Sequence, residues 1–118
     1  MPDRPEYKVR VLAPAALDAV ETFEWGVTEF GAEAAVRYAD LIDQAIRDVG
    51  DDPKRPGSRA VEGREGVRVY SLHFSRKRVG GRRVLNPRHV VVYRIRGTVV
   101  EVLRILHDSR ELERHIEQ

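Results

Sequence analysis

The chain of 118 residues predicts an α+β fold, in which an antiparallel sheet is covered on one face by an N-terminal helical hairpin. Two long segments with helical spacing of apolar residues come first, and two β-rich segments joined by a short turn come late. Helices that cluster before strands are typical of this class. The predicted order of elements is β-α-α-β-β-β-α, within a single domain over residues 1–118.

The first strand and the first helix are predicted from residues 7 to 30. Tyr7 to Leu12 alternates as a strand does, and Pro14 is well placed to open a helix, because the first helical turn does not need its missing N–H. The segment Ala15–Phe30 carries one apolar stripe with helical spacing, which predicts the face that packs inward. The stripe comprises Ala16, Leu17, Val20, Phe23, Val27 and Phe30. Trp25 falls on the opposite side of the helix.

A second helix is predicted from Ala32 to Val49, after a break at Gly31, with Gly50 as its C-terminal cap. Two helices separated by a single residue predict an antiparallel αα-hairpin. The turn-rich segment 50–58 is rich in Pro and Gly and predicts no regular structure. Val67–Phe74 is predicted as the second strand, and the basic segment 75–88 as a loop.

The last two strands are predicted over Arg88–Ile95 and Val99–Leu106, with Arg96 and Gly97 as the turn. This register places Tyr93 opposite Val100 and Val91 opposite Val102. It also sets His89 beside Arg104 on one face. A slip of one residue would exchange the two faces. A short final helix is predicted from Arg110 to Ile116.

Charge is distributed unevenly along the chain. Residues 1–50 hold five basic and ten acidic side chains, and residues 51–118 hold sixteen basic and nine acidic ones, so their net charges are −5 and +7. The excess lies between residues 53 and 104, with fourteen Lys or Arg against three Glu. Such a field favours a polyanion or an acidic protein surface, although a solvated face has the same composition.

Several kinds of site are excluded or disfavoured. The chain has no cysteine, so it has neither disulfides nor thiolate metal sites, and it fits a reducing cytoplasm. Its four histidines show no metal-ligand spacing, and no phosphate-binding loop is present. No segment is apolar enough to span a membrane, and no N-terminal export signal is seen. We therefore expect a cytoplasmic protein with no metal, no cofactor and no membrane association.

The segment HVVVYRIRGTVVEVLRILHDSREL resembles the signature hairpin of the ParE/RelE toxins of bacterial type II toxin–antitoxin systems. Upstream, a proline followed by GS and then by GVRVY resembles the approach of this family to its second strand. The likeness extends from Tyr7 to about Ile116 and implies the RelE/ParE-like fold. It also implies a cognate antitoxin.

The resemblance implies one of two toxic activities. ParE-like members inhibit DNA gyrase and are neutralised by a ParD-like antitoxin, whereas RelE-like members are endoribonucleases that cleave mRNA on the ribosome. The LRILH run followed by Asp108 resembles the ParE-like version, so a gyrase inhibitor rather than an enzyme is expected. RelE-like nucleases carry a lysine pair, which has no counterpart here, since Lys8, Lys54 and Lys77 are the only lysines. A degenerate toxin kept for antitoxin binding is a third possibility.

Candidate site residues follow from this resemblance and from the charge pattern. In a nuclease, Arg104, His107, His89 and Arg94 would supply the acid, the base and the cations that RNA cleavage needs. The residues expected to contact the target are basic and lie on the sheet or the preceding loop: Arg76, Arg78, Arg82, Arg83, Arg94 and Arg104. Three residues are expected to contact the antitoxin: Trp25, which lies off the core stripe of the first helix, and Val36 and Leu41, which flank the core stripe of the second.

Overall fold

The computed structural model describes residues 6–81 and 84–108, and these residues form an α+β fold, as predicted. The predicted helix at 110–116 lies outside the described residues. The described helices and strands, in chain order, are β1 Lys8–Val11, α1 Ala13–Phe30, α2 Ala32–Asp51, β2 Ser58–Ala60, β3 Val67–Ser71, a 3₁₀ helix Leu72–Arg78, β4 Val90–Arg96 and β5 Val99–Leu106.

The strands form one sheet in the order β1-β5-β4-β3-β2. All neighbouring pairs are antiparallel except β1 and β5, which run parallel, with Lys8 opposite Val99 and Val11 opposite Val102. The sheet is therefore mixed, and the expectation of an antiparallel sheet is wrong for this one pair of strands. Sequence patterns indicate which successive strands pair. β1 and β5 are separated along the chain by the helical hairpin and three strands, so no such pattern indicates their pairing.

Two element boundaries in the middle of the chain differ from the prediction. Gly57 has a φ of 97°, which ends the turn, and Ser58 then pairs with Tyr70, so an additional short strand follows the Pro-rich segment. The next strand stops at Ser71 instead of Phe74. The side chain of Ser71 accepts a hydrogen bond of 3.1 Å from the amide of His73, which turns the backbone out of the sheet and into the 3₁₀ helix.

The β4–β5 hairpin is present, but its register differs from the predicted one. The turn residues are Gly97, with a φ of 59°, and Thr98, so Tyr93 lies opposite Val102. A β-bulge then shifts the register, and Arg104 lies opposite Val92, not His89. Glycine occupies the first turn position because its positive φ is disfavoured for other residues.

The main core lies between the helical hairpin and one face of the sheet. Side chains of α2 pack there with Tyr70, Tyr93 and other strand residues. The fully buried members from α2 are Leu41, Ile42, Ala45 and Val49. A second apolar cluster lies on the opposite sheet face and comprises Val67, Val69, Val90, Val92 and Leu106.

Gly50 does not cap α2 but is buried within its last turn. A Cβ atom on Gly50 would lie 2.4 Å from Cγ2 of Val9 on β1. The absence of a side chain therefore lets β1 pack directly on the helix, and α2 continues to Asp51.

Candidate functional site

The apolar stripe of α1 faces outward, contrary to the prediction that it packs in the core. We call Leu17, Val20, Phe23, Val27 and Phe30 the α1 apolar face. Their exposed fractions are 57, 52, 37, 37 and 66%. Exposed apolar side chains that form a contiguous row on one helix mark an interaction surface.

Small residues explain why α1 is turned this way. Ala15 and Gly26 are the buried residues of α1, and a Cβ atom on Gly26 would lie 3.4 Å from Cβ of Ala35 on α2. A close approach of two helices needs small side chains at the contact. The large apolar side chains of α1 are therefore left on the outer side of the hairpin.

The residues expected to contact an antitoxin occupy different environments. Trp25 is 54% exposed, and its ring meets that of Phe30 edge-on at 5.4 Å between centroids. Val36 is 49% exposed on α2. Leu41 is 1% exposed and packs in the main core. The prediction that it contacts the antitoxin is therefore wrong, because its side chain is not on the surface.

A cavity of about 600 Å³ opens beside Trp25, between the helical hairpin and the segment that precedes β4. Its walls combine apolar side chains such as Trp25, Phe30 and Leu85 with the polar side chains of Tyr38 and His89. Concave sites with apolar walls and a few converging polar groups are typical of binding pockets.

Tyr38, His89 and His107 form a polar cluster on this cavity. The hydroxyl oxygen of Tyr38 accepts a hydrogen bond of 3.1 Å from the amide of Arg88 and lies 2.6 Å from Nδ1 of His89. The tautomer of His89 decides whether the Tyr38 hydroxyl or Nδ1 is the donor of this hydrogen bond. The rings of His89 and His107 are 5.2 Å apart, nearly perpendicular.

Burial raises the pKa of Tyr38 above its ordinary value, although hydrogen bonds from the amides of Arg88 and His89 and the charge of Arg88 oppose the shift. Tyr38 is thus a neutral hydroxyl at physiological pH. Burial also raises the pKa of Tyr93, whose hydroxyl donates a hydrogen bond of 2.5 Å to the carbonyl of Pro53 in the main core.

Of the four residues that a nuclease would use, three come together. Arg104, His89 and His107 line one cavity of about 330 Å³, next to Trp25. The guanidinium of Arg104 is held there by Asp18, at 2.7 Å from Nε to Oδ2. Arg94 does not line this cavity, and its NH2 group donates a hydrogen bond of 3.1 Å to Oε1 of Glu101.

The basic residues expected to contact a target do not form one cluster among the described residues. Arg76 donates a hydrogen bond of 3.0 Å to the carbonyl of Leu85, and Arg78 donates one of 2.9 Å to Asp48. Arg94 and Arg104 are paired with carboxylates as described above. Arg82 and Arg83 lie outside the described residues.

Asp48, a buried polar centre, was missed by the sequence reasoning. Its carboxylate is 2% exposed and accepts hydrogen bonds from Ser75 at 2.5 Å and from Gln44 and Arg78 at 2.9 Å. This network ties the 3₁₀ helix to α2. The available signal was position, since Asp48 stands three residues after Ala45 and one before Val49, within the apolar face of α2.

Residues 6–81 and 84–108 contain no group of three His, Asp or Glu side chains arranged to hold a metal ion. Within the same ranges, no helix has the length and apolarity needed to cross a bilayer.

Comparison with known proteins identifies a matching family and a solved structure of similar fold. Residues 9–112 match the family described as "ParE toxin of type II toxin-antitoxin system, parDE". The structure resembles a chain from the "Chromosomal ParDE TA system from P. aeruginosa", with a TM-score of 0.68 and 17% sequence identity, over 87% of this chain and 97% of that one. No curated protein matches the sequence.

Proposed function

The chain belongs to the ParE toxin family of type II toxin–antitoxin systems, and we propose that it inhibits DNA gyrase in the cytoplasm and is neutralised by a ParD-like antitoxin. The family match over residues 9–112 supports the choice of target. The observation that carries the antitoxin part of the proposal is the exposure of the α1 apolar face, because a solvent-exposed row of large apolar side chains needs a partner.

The surroundings of this face favour an amphipathic antitoxin segment with basic residues at its rim. The exposed acidic side chains Glu21, Glu24 and Glu29 stand on the same helix, and Asp40 and Asp43 are exposed on α2. Charge complementarity at the rim of an interface increases the association rate and fixes the register of the partner. The cavity beside Trp25 would take an anchoring side chain of that segment.

The two arginines expected in a nuclease, Arg104 and Arg94, are both held by carboxylates, and this favours gyrase inhibition over RNA cleavage. Arg88, which lines the cavity beside Trp25 together with His89, was not among the expected residues. Cleavage of RNA needs cations free to stabilise charge on the phosphate in the transition state. Arg104 is bound by the carboxylate of Asp18, and Arg94 by that of Glu101. The three lysines do not line the cavities that contain His89.

A RelE-like mRNA endonuclease is the second candidate, and the Tyr38–His89–His107 cluster favours it. A neutral tyrosine and two neighbouring histidines are groups that transfer protons in catalysis. In this function His89 or His107 would act as the base or the acid.

Induction of the protein in growing cells separates the two candidates. Gyrase inhibition leads to a DNA-damage response and filamentation, with protein synthesis continuing at first. Ribosome-dependent cleavage of mRNA stops protein synthesis at once. The matched comparison is the double variant His89→Ala with His107→Ala. A gyrase inhibitor should still cause filamentation with these substitutions, whereas a nuclease should no longer stop protein synthesis. Immediate arrest of translation that this variant abolishes would overturn the proposed function.

A further inference from the structure

A second concave site lies on the sheet face opposite the helical hairpin. Of its lining residues, only Arg88 also lines the cavity beside Trp25. This second site is a cavity of about 320 Å³. Arg59 lies directly opposite Val69, and Ser71 lies directly opposite Val90, so these side chains share one face of β2, β3 and β4. Phe74, from the 3₁₀ helix, forms a further wall of this cavity.

Phe74 is an exposed aromatic ring in a fixed position. Its side chain is 52% exposed, yet its ring rests on the backbone of Gly57, where a Cβ atom would lie 2.7 Å from Cγ of Phe74. The ring of His73 meets it edge-on at 5.4 Å. A held but exposed aromatic face can stack on a planar ligand without first losing rotational freedom.

The charged groups around this ring are mostly cationic. Arg59 and Arg88 are exposed, and neither guanidinium has an ion-pair partner within the described part of the chain. The carboxylate of Asp108 lines the same cavity, so two arginines and one aspartate leave a net charge of +1. Ser71 accepts from the His73 amide and keeps its own hydroxyl proton for donation.

We propose that this site binds one nucleotide unit of a single-stranded nucleic acid, with the base stacked on Phe74 and the phosphodiester held by Arg59 and Arg88. Single strands are bound by a combination of aromatic stacking and unpaired cations. A net charge of +1 matches one phosphodiester better than a nucleoside triphosphate, and a volume near the lower end of ligand pockets fits a single unit. The proposal does not depend on gyrase as the target, because Phe74 and Arg59 do not line the cavity beside Trp25.

The test is fluorescence anisotropy of labelled single strands, of DNA and of RNA, about twelve nucleotides long, with the purified full chain. Phe74→Leu keeps an apolar side chain and removes the stacking face, so affinity should fall about tenfold. Phe30→Leu is the matched control, because Phe30 is an exposed aromatic residue on the helical side of the sheet, and it should leave affinity unchanged.

Salt dependence tests the cations separately. Arg59→Gln should lower the slope of log K against log salt by about 0.7, the value for one phosphate contact with a single strand. Arg10→Gln makes the same charge change on β1, at the far end of the sheet, and should leave the slope unchanged. Circular dichroism of each variant establishes that the fold is intact.

Three results would overturn the proposal. One is undetectable binding of both single strands at low salt. Another is equal affinity of the wild-type protein and Phe74→Leu for the strands. The third is competition by duplex DNA or by an acidic peptide as effective as competition by unlabelled single strand, because neither presents an unpaired base.

Discussion

Arg104 on β5 and Asp18 on α1 form a two-pronged ion pair, with 2.7 Å from Nε to Oδ2 and 3.0 Å from NH2 to Oδ1. The same carboxylate accepts a hydrogen bond of 2.9 Å from the amide of Ile105. β1 pairs with β5 only as far as Val102. Beyond that point, the side chain of Asp18 accepts the hydrogen bond from the backbone of β5 at this edge of the sheet. The pair therefore fixes the orientation of α1, and with it the direction of the α1 apolar face.

Replacement of Asp18 should destabilise the protein. Asp18→Ala leaves the guanidinium of Arg104 and the amide of Ile105 partly buried without this acceptor, which costs about 2 kcal/mol in the free energy of unfolding. Urea denaturation measures the loss. Asp40→Ala, at an exposed site of α2, is the control and should change stability by less than about 0.5 kcal/mol. Equal stability of Asp18→Ala and the control would show that the pair contributes nothing.

Two glycines in helices should respond in opposite ways to the same substitution. Alanine normally stabilises a helix interior by about 1 kcal/mol relative to glycine. Gly26→Ala places a Cβ atom at 3.4 Å from Ala35, an ordinary contact, so it should leave stability unchanged or raise it. Gly50→Ala places one at 2.4 Å from Val9 and should lower the free energy of unfolding by about 1–3 kcal/mol.

A double variant checks the cause of the second effect. Val9→Ala removes the colliding methyl group, so Gly50→Ala should cost less in that background than in the wild type. Thermal unfolding of the four proteins completes the cycle. Equal free energies of unfolding for Gly50→Ala and Gly26→Ala would contradict the close packing of Val9 on Gly50.

Trp25 should anchor the antitoxin. Trp25→Ala should weaken binding of the antitoxin by about 2 kcal/mol and leave toxicity in its absence unchanged, because the indole is exposed and outside the core. Isothermal titration calorimetry measures the affinity. Phe74→Ala, an exposed aromatic residue on the other side of the sheet, serves as the control and should bind normally. Loss of the fold in Trp25→Ala would place the indole in the core and contradict the prediction.

Stability should fall at alkaline pH through Tyr93, which is buried, and Tyr38, which is half-buried. Burial raises the pKa of both Tyr38 and Tyr93, so the folded state retains these protons more strongly than the unfolded state does. The contribution of these two raised pKa values to the free energy of unfolding is fully present below pH about 10, the pKa of tyrosine in the unfolded state. It is lost as the pH rises through the pKa values of the folded state. Tyr38→Phe and Tyr93→Phe should each flatten the fall in unfolding free energy above pH about 10, measured by urea denaturation. An unchanged slope in both variants would contradict this.

The helices and the hairpin could be predicted because their signals are local. Gly31 separates two periodic segments, and Gly97 lies between two β-rich ones. The parallel pairing of β1 with β5 has no local signal, since it joins Lys8 to Val99 across most of the chain. The bulge after Val102 likewise depends on the packing of the sheet.

The wrong interpretation of α1 has a physical cause. Periodicity identifies an apolar stripe but does not say whether the core or a partner covers it. In α1, Ala15 and Gly26 make the inward contact because the two helices approach closely, and the larger side chains remain outside. The same limit applies to Leu41, which is buried although its position was assigned to the surface.

The most direct test of the proposed function is supercoiling of relaxed plasmid DNA by purified gyrase, with and without the toxin. The account predicts that the toxin reduces supercoiling and that prior addition of the antitoxin restores it. Heat-denatured toxin serves as the control and should have no effect. Supercoiling that continues at the normal rate with the folded toxin in excess would contradict gyrase as the target.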